Sequence, residues 1–182
     1  MNPLLISLNV ALGISSELIT ARGLRVCEEA NCLEVAEVGA DGRDHLLVGA
    51  AAEAWRNLKT AAHDDGVSLF IVSAFRSIDR QTEIVQRKLK AGVPIEEILS
   101  LCAPPGFSEH HSGRAIDLTT PSSRALEVEF DKTAAFAWLN ARAAEFGYYL
   151  SYPIGNPSGY QYEPWHWCFK DAQPIIPSGA AR

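Results

Sequence analysis

The stretch FSEHHSGRAIDLTTP, Phe107–Pro121, decides the fold because it joins a polar turn to a predicted strand. The segment RAIDLTT alternates in the manner of a half-buried strand, which places Asp117 on one of its faces. A turn ending at Gly113 would bring His110 back over Asp117. Histidine is a common zinc ligand and aspartate an acceptable one, but this spacing by itself is also typical of a polar turn that leads into a strand.

A second stretch, GYQYEPWHWCF, contains Glu163 and His166 three residues apart. Pro164 follows Glu163 and disfavours helical geometry there, so this is not the helical HExxH arrangement of other zinc enzymes. We expect a turn at Glu163–Pro164 and then a strand that begins near Trp165. His166 would point to one face of that strand, and Glu163 would reach over the same site from the preceding loop.

Two histidines and one aspartate would supply three protein ligands, namely His110, Asp117 and His166. Three ligands leave a fourth position for water, which is typical of a catalytic zinc rather than a structural one. This set carries one negative charge against Zn²⁺, and a net positive site favours a low pKa of the bound water. Glu163 would then be the base that such chemistry requires.

The third stretch, SAFRSIDRQ, places Arg76 directly after the predicted strand VSLFIVSAF. An arginine at the end of a strand can bind a carboxylate through two hydrogen bonds or stabilise a developing oxyanion. The alternative is a surface arginine that pairs with Asp79 or another acid.

Together these three stretches resemble the VanY-type zinc D-alanyl-D-alanine carboxypeptidases, which belong to a wider group with lysostaphin-like enzymes and the hedgehog signalling domain. The hallmark of the family is S-x-H-x-x-G-x-A-x-D followed at a distance by E-P-W-H. The residues that meet the two motifs are Ser108, His110, Gly113, Ala115 and Asp117, and then Glu163, Pro164, Trp165 and His166. The resemblance covers about residues 44–170.

The resemblance implies a role for each matching residue. The implied zinc ligands are His110, Asp117 and His166. Glu163 would be the general base, and Arg76 would stabilise either the oxyanion or the substrate carboxylate. Ser108 and Gln81 would contact the substrate.

The chain departs from the family pattern at two positions. His111 follows the first ligand where relatives often have glutamine. It would either line the cleft or be exposed, and we favour an exposed position. Ser151 stands before YP where relatives often have a basic residue, so substrate contacts at that position are in doubt.

The order of predicted helices and strands is mixed, which favours an α+β fold over a doubly wound one. Helices are predicted over about 44–62 and 79–90, in PIEEILSL and in FDKTAAFAWLNARAAEFGYYL; strands are predicted in VSLFIVSAF, RAIDLTT, YYLSYP and WHWCF, with one or two more before residue 44. The resemblance implies a small, mainly antiparallel sheet that carries the zinc site between flanking helices.

The length of 182 residues predicts one domain, 1–182, in which residues 1–43 form an N-terminal extension of unknown role. A net charge of −6 argues against a nucleic-acid partner, and no apolar run is long enough for a membrane span. The start MNPLLISLNVALGISS lacks a basic leader and reads as a strand or packed segment, which favours a cytoplasmic location over the cell envelope.

Four cysteines are too few for a disulfide-dense scaffold. Cys27 and Cys32 bracket a short loop and are read equally well as a disulfide or as two reduced thiols. Cys168 would share a strand face with His166, and we expect it to be a buried, inert thiol.

The predicted function is that of a zinc-dependent carboxypeptidase that releases a terminal D-alanine from peptidoglycan stem or precursor peptides. An L,D-carboxypeptidase and a peptidoglycan endopeptidase would use the same residues. A peptidoglycan-binding module without catalysis is a further alternative, but it would have no need of a base such as Glu163.

Overall fold

The computed structural model describes residues 2–171. Its helices are α1 Pro3–Ala11, α2 Ser16–Ala21, α3 Gly49–Asp64, α4 Ile78–Lys90, α5 Ile95–Leu101 and α6 Ala134–Arg142. Its strands are β1 Glu34–Val38, β2 Asp44–Leu47, β3 Phe70–Ser73, β4 Ala115–Thr119, β5 Tyr148–Leu150 and β6 His166–Phe169. Short 3₁₀ helices span Glu109–Ser112, Val128–Lys132 and Ala143–Phe146. None of the helices within 2–171 has both the length and the apolar character needed to cross a membrane.

All strand pairs are antiparallel, which confirms the predicted α+β class. One sheet contains β1 and β2, and the other has the strand order β3-β4-β6-β5. In the larger sheet Asp117 on β4 is the register partner of Ser73 on β3 and of His166 on β6. Side chains of directly paired residues lie on the same face of a sheet, so this register sets Asp117 between Ser73 and His166.

Two hydrophobic clusters surround this sheet. The main cluster lies between the larger sheet, α3 and α6, and its fully buried members include Trp55, Leu58, Ile116, Leu139 and Tyr148. The second cluster joins α1 and α2 to α4, α5 and the loop before the first 3₁₀ helix, through Leu5, Ile14, Ile19, Val85, Ile98 and Phe107. The N-terminal residues are therefore part of the packed structure.

One prediction holds in part, and another is wrong in its first residues. The start of the chain is a packed segment, one of the two predicted alternatives, but it is a helix and not a strand, because Asn2 caps the first turn of α1 through the Leu4 N–H and Pro3 occupies the first helical position. The segment Asp44–Leu47 is not the start of a helix, because it pairs with β1, and the helix begins only at Gly49. Leu47 is buried from a strand rather than from a helix face.

The last predicted helix is shorter than its pattern. Helix α6 ends at Arg142, and a 3₁₀ turn leads to Gly147, whose φ of 78° ends the helical segment. A Cβ at Gly147 would lie 2.8 Å from Cε2 of Phe169, so both the backbone angle and the space require glycine there. All four cysteines are free thiols, including Cys27 and Cys32.

We expect the substitution Leu58→Ala to lower the free energy of unfolding by about 2–5 kcal/mol, because Leu58 is fully buried between α3 and the larger sheet and its truncation leaves a cavity. Urea denaturation would measure this loss. The neighbouring Asn57 is exposed, and Asn57→Ala should change the same quantity by less than about 0.5 kcal/mol. Equal effects of the two substitutions would contradict the position of α3 in the core.

Candidate metal centre and active-site cleft

Three buried side chains from separate elements converge on one point. His110 comes from the first 3₁₀ helix, Asp117 from β4 and His166 from β6, and one candidate ligand atom of each lies within 4.8 Å of the others. Nε2 of His110 is 3.2 Å from Oδ2 of Asp117, and Nδ1 of His166 is 2.9 Å from Oδ1 of the same carboxylate. The three residues singled out in the sequence are thus brought together around Asp117.

The orientation of His110 is set by the backbone of the residue that follows β3. Its Nδ1 lies 2.7 Å from the carbonyl oxygen of Ala74, which directs Nε2 toward Asp117. A ring nitrogen that donates to a carbonyl leaves the other nitrogen free to act as a ligand. His110 also meets the ring of His166 edge-on, with 4.9 Å between the ring centroids.

His166 is held at both nitrogens. Its Nδ1 faces Asp117, and its Nε2 lies 2.9 Å from Oε2 of Glu109. Tyr152 stacks on the ring, with centroids 4.6 Å apart and planes inclined by 27°. Our reading of the sequence did not include Glu109 or Tyr152, although Glu109 directly precedes His110 in the motif.

The charges around His166 favour an imidazolium between two carboxylates. Burial alone would lower the pKa of His166, but hydrogen bonds to Asp117 and Glu109 raise it to about 10. Burial likewise opposes ionisation of Asp117, but His110 and His166 hold its pKa well below the usual range. Burial opposes ionisation of Glu109 too, and the hydrogen bond from His166 brings the pKa of Glu109 down to about 2. This cluster of opposite charges is suited to binding a cation that displaces the Nδ1 proton of His166.

Glu163 behaves in the opposite way. Burial raises its pKa to about 7, and His166 offsets this only in part. Its Oε2 is 4.0 Å from Nδ1 of His166, and the His166 N–H donates to the Glu163 carbonyl across the expected turn at Pro164. A carboxyl group with a pKa near neutrality can both take and return a proton at physiological pH.

Arg76 reaches the same centre from the loop after β3. Its guanidinium donates to Oε1 of Gln81 and to Oγ of Ser73, each at 2.9 Å, and lies 3.8 Å from Oδ2 of Asp117. Gln81 is fully buried, and its amide nitrogen donates to the carbonyl of Ala103. Gln81 therefore holds Arg76 in place and does not line the cleft, in contrast to the predicted substrate contact.

The centre opens into a cleft of about 350 Å³. Ser108, one of the predicted substrate contacts, is buried and lines the cleft. Arg87 and Lys88 line the cleft from the last turn of α4. Within residues 2–171 neither of these two cations has an ion pair or a side-chain hydrogen bond.

Two predictions about neighbouring residues have different outcomes. His111 is fully buried rather than exposed: its Nδ1 lies 2.6 Å from the carbonyl oxygen of Arg76, and its Nε2 accepts from the Gly106 N–H. The second histidine of the motif thus ties the Gly106 loop to Arg76. Cys168 is buried as expected, and burial raises the pKa of its thiol.

A family model described as VanY, D-alanyl-D-alanine carboxypeptidase, matches residues 44–172. The chain therefore belongs to the VanY D-alanyl-D-alanine carboxypeptidase family. The family predicted from the motifs is confirmed, and so is the enzyme class at the level of this family.

Two relatives show the extent of the similarity. YodJ of Bacillus subtilis strain 168, whose name assigns it to the carboxypeptidases, is 36% identical over 121 residues, which cover 64% of this chain and 43% of YodJ. A D-alanyl-D-alanine carboxypeptidase of Enterococcus faecium is 29% identical over 118 residues, which cover 63% of this chain and 34% of the relative. The match thus spans less than half the length of each relative.

Solved structures extend the comparison to the fold. The LdcB LD-carboxypeptidase superposes with a TM-score of 0.70 at 29% identity, over 78% of this chain and 69% of that one. A mutant of the D,D-pentapeptidase VanY from a VanB-type resistance cassette, solved in complex with Zn(II), superposes with a TM-score of 0.60 at 25% identity. The match covers 81% of this chain and 88% of that one. VanYB in complex with D-alanine-D-alanine superposes with a TM-score of 0.61 at 26% identity. The match covers 80% of this chain and 81% of that one.

The raised pKa of Glu163 predicts a pH-dependent stability in chelator-treated protein. The folded state keeps this proton between the ordinary pKa of 4.5 and about 7, so Glu163 lowers stability progressively as the pH rises through that window. Glu163→Gln removes this loss. The free energy of unfolding of the variant, relative to that of the wild type, should therefore increase by about 3 kcal/mol as the pH rises from 4 to 8, at about 1.36 kcal/mol for each pKa unit. Urea denaturation at several pH values would measure the difference.

Glu53 is exposed on α3 and provides the matched control. Glu53→Gln should follow the wild-type pH dependence. If Glu163→Gln followed it too, the carboxyl group of Glu163 would not be desolvated as the structure shows.

Proposed function

We propose that this protein is a zinc-dependent carboxypeptidase that releases a terminal D-alanine from peptidoglycan stem or precursor peptides. One observation carries the proposal. A carboxyl group with a pKa of about 7, Glu163, lies in a cleft beside three converging metal-ligand side chains. A module that only bound peptides would have no need of such an acid.

The donor set fits zinc. Two imidazoles and one carboxylate are common zinc ligands, and three protein ligands are typical of catalytic sites. The ligands would be Nε2 of His110, Nδ1 of His166 and the carboxylate of Asp117, in the orientations that Ala74 and Glu109 favour. The zinc complex of the related VanY structure supports this choice of metal. When bound, zinc lowers the pKa of water and polarises a carbonyl group.

Glu163 and Arg76 would then act on the scissile peptide bond. Glu163 takes a proton from the attacking water and later donates one to the leaving amine, for which a pKa near 7 is well matched. The guanidinium of Arg76, fixed by Gln81 and Ser73, donates to the developing oxyanion. Its position beside Asp117 favours the oxyanion over a distant carboxylate as its target.

The unpaired cations at the end of α4 give the cleft a second positive region. With Arg76 directed at the reacting centre, Lys88 and Arg87 remain available for the free carboxylate of the leaving residue. A carboxypeptidase requires such a group, whereas an endopeptidase requires an open end. This arrangement favours removal of a terminal residue over internal cleavage.

Cleavage after an L-residue is the second candidate. The LdcB LD-carboxypeptidase superposes with a TM-score of 0.70, against 0.61 for VanYB with D-alanine-D-alanine. The family description and the Enterococcus relative support the D,D reaction. Both reactions release D-alanine and use the same residues.

Zinc-loaded protein should release D-alanine from a pentapeptide stem that ends in D-alanyl-D-alanine, and mass spectrometry of the products would show it. A tetrapeptide stem with a single terminal D-alanine would be cleaved instead by an L,D-enzyme. We expect Glu163→Gln to reduce the rate by roughly 10²–10⁴-fold because the general base is lost. Chelation of the metal should abolish release, and added zinc should restore it.

Glu53→Gln, on the exposed face of α3, should leave the rate unchanged. Wild-type rates in the Glu163→Gln variant would refute the assigned base. No D-alanine from either peptide would refute the proposed activity.

We expect Lys88→Ala to raise the KM for the cleaved peptide by roughly 10-fold with little change in kcat, because a charge-assisted hydrogen bond to the substrate carboxylate is lost. A peptide with a C-terminal carboxamide should be a poor substrate for the wild type and should show no further loss in the variant. Lys90 is exposed on the same helix outside the cleft, so Lys90→Ala is the control. Equal losses with acid and amide peptides would exclude the carboxylate contact.

A further inference from the structure

The N-terminal segment, here residues 3–30, precedes the part of the chain that the family model matches. Its backbone is nevertheless bonded to the loops that carry the site. The Cys27 N–H donates to the carbonyl of Gly106 at 2.8 Å, and the Ala30 N–H donates to the carbonyl of His111 at the same distance. Asn9 on α1 donates to the carbonyl of Pro105 at 3.0 Å. The segment therefore directly supports residues 105–111, which we call the motif loop.

Arg22, just after α2, contacts other parts of the chain. Its Nε donates to the carbonyl of Ser158 at 2.8 Å and one terminal nitrogen donates to the carbonyl of Leu99 at 2.7 Å. The guanidinium carbon lies 4.5 Å from the ring centroid of Tyr160. One side chain thus joins α5 to the loop between β5 and β6 and covers an aromatic ring.

That ring begins a row of side chains in contact that ends at the metal centre. The rings of Tyr160 and Tyr152 have centroids 4.7 Å apart, and Tyr152 stacks on His166 at 4.6 Å. Arg22, Tyr160, Tyr152 and His166 are therefore in continuous contact. We call these four side chains the aromatic row.

The aromatic row packs against the face of the His166 ring, while hydrogen bonds hold its two nitrogens. Asp117 and Glu109 each lie 2.9 Å from one ring nitrogen. Rotation of the ring about the Cβ–Cγ bond would carry both nitrogens away from these partners and would turn the lone pair of Nδ1 away from a metal. Contact between the face of the ring and Tyr152 opposes that rotation in addition to the hydrogen bonds.

We propose that Arg22 is a positioning residue for His166, acting through Tyr160 and Tyr152, and that this is a role of the N-terminal segment. The proposal rests on the proposed function, because it takes His166 as a zinc ligand. An arginine suits the position because its planar fork can donate to two carbonyl groups while its face covers a ring.

The affinity for zinc, measured by competition with a chromophoric chelator, tests the proposal without any substrate. Arg22→Ala should weaken zinc binding by roughly 10-fold, the lower end of the effect of residues that orient metal ligands. Arg25 belongs to the same segment, is exposed and makes no side-chain hydrogen bond within residues 2–171, so Arg25→Ala should bind zinc as the wild type does. All variants are compared well below their thermal unfolding midpoints.

Substitutions at Tyr160 test the path. Tyr160→Phe keeps the ring and should retain wild-type affinity, whereas Tyr160→Leu should weaken binding as Arg22→Ala does. The double variant of Arg22→Ala and Tyr160→Leu should bind zinc no more weakly than either single variant, because both substitutions interrupt the same row. If Arg22→Ala fails to fold, the two Tyr160 variants still decide the outcome.

Three results would overturn the proposal: unchanged zinc affinity in Arg22→Ala, equal affinities of Tyr160→Phe and Tyr160→Leu, or additive losses in the double variant. A lower thermal midpoint with unchanged affinity would show that Arg22 only stabilises the fold. Failure of the wild type to bind zinc would instead refute the proposed function.

Discussion

The pairing of β4 with β6 is the constraint on which the site depends. It sets Asp117 directly opposite His166, and the same residue is paired with Ser73 on the other side. A buried carboxylate is costly unless it is paired and hydrogen-bonded, and here two imidazoles and a guanidinium surround it. A shift of β4 by one residue in this register would turn the carboxylate to the other face of the sheet, away from His166.

Two acids in this site have opposite environments, and that difference separates their roles. Asp117 is buried among cations, which keep it ionised and suited to hold a metal. Glu163 is also buried, and its desolvation, which His166 offsets only in part and which the nearby Asp117 and Glu109 reinforce, raises its pKa to about 7. Environments that push the pKa values of nearby acids apart are typical of catalytic sites.

The site is assembled from more of the chain than the family motifs contain. Glu109 and Tyr152 orient His166, His111 ties the Gly106 loop to the backbone of Arg76, and Gln81 fixes the side chain of Arg76. The segment before residue 44 adds a further layer through the second hydrophobic cluster and its bonds to the motif loop. Precise placement of a few reactive groups thus depends on many contacts that are themselves unreactive.

The sequence by itself determined the strands that carry the site, the turn at Pro164 and, through the motifs, the family and the set of candidate ligands. Local alternation and proline chemistry suffice for such features because they depend on neighbouring residues. Tertiary structure alone decided that His111 is buried, that Asp44–Leu47 is a strand and that Glu109 meets His166 across 57 residues. These outcomes depend on contacts between distant segments, and no period or spacing along the chain records such contacts.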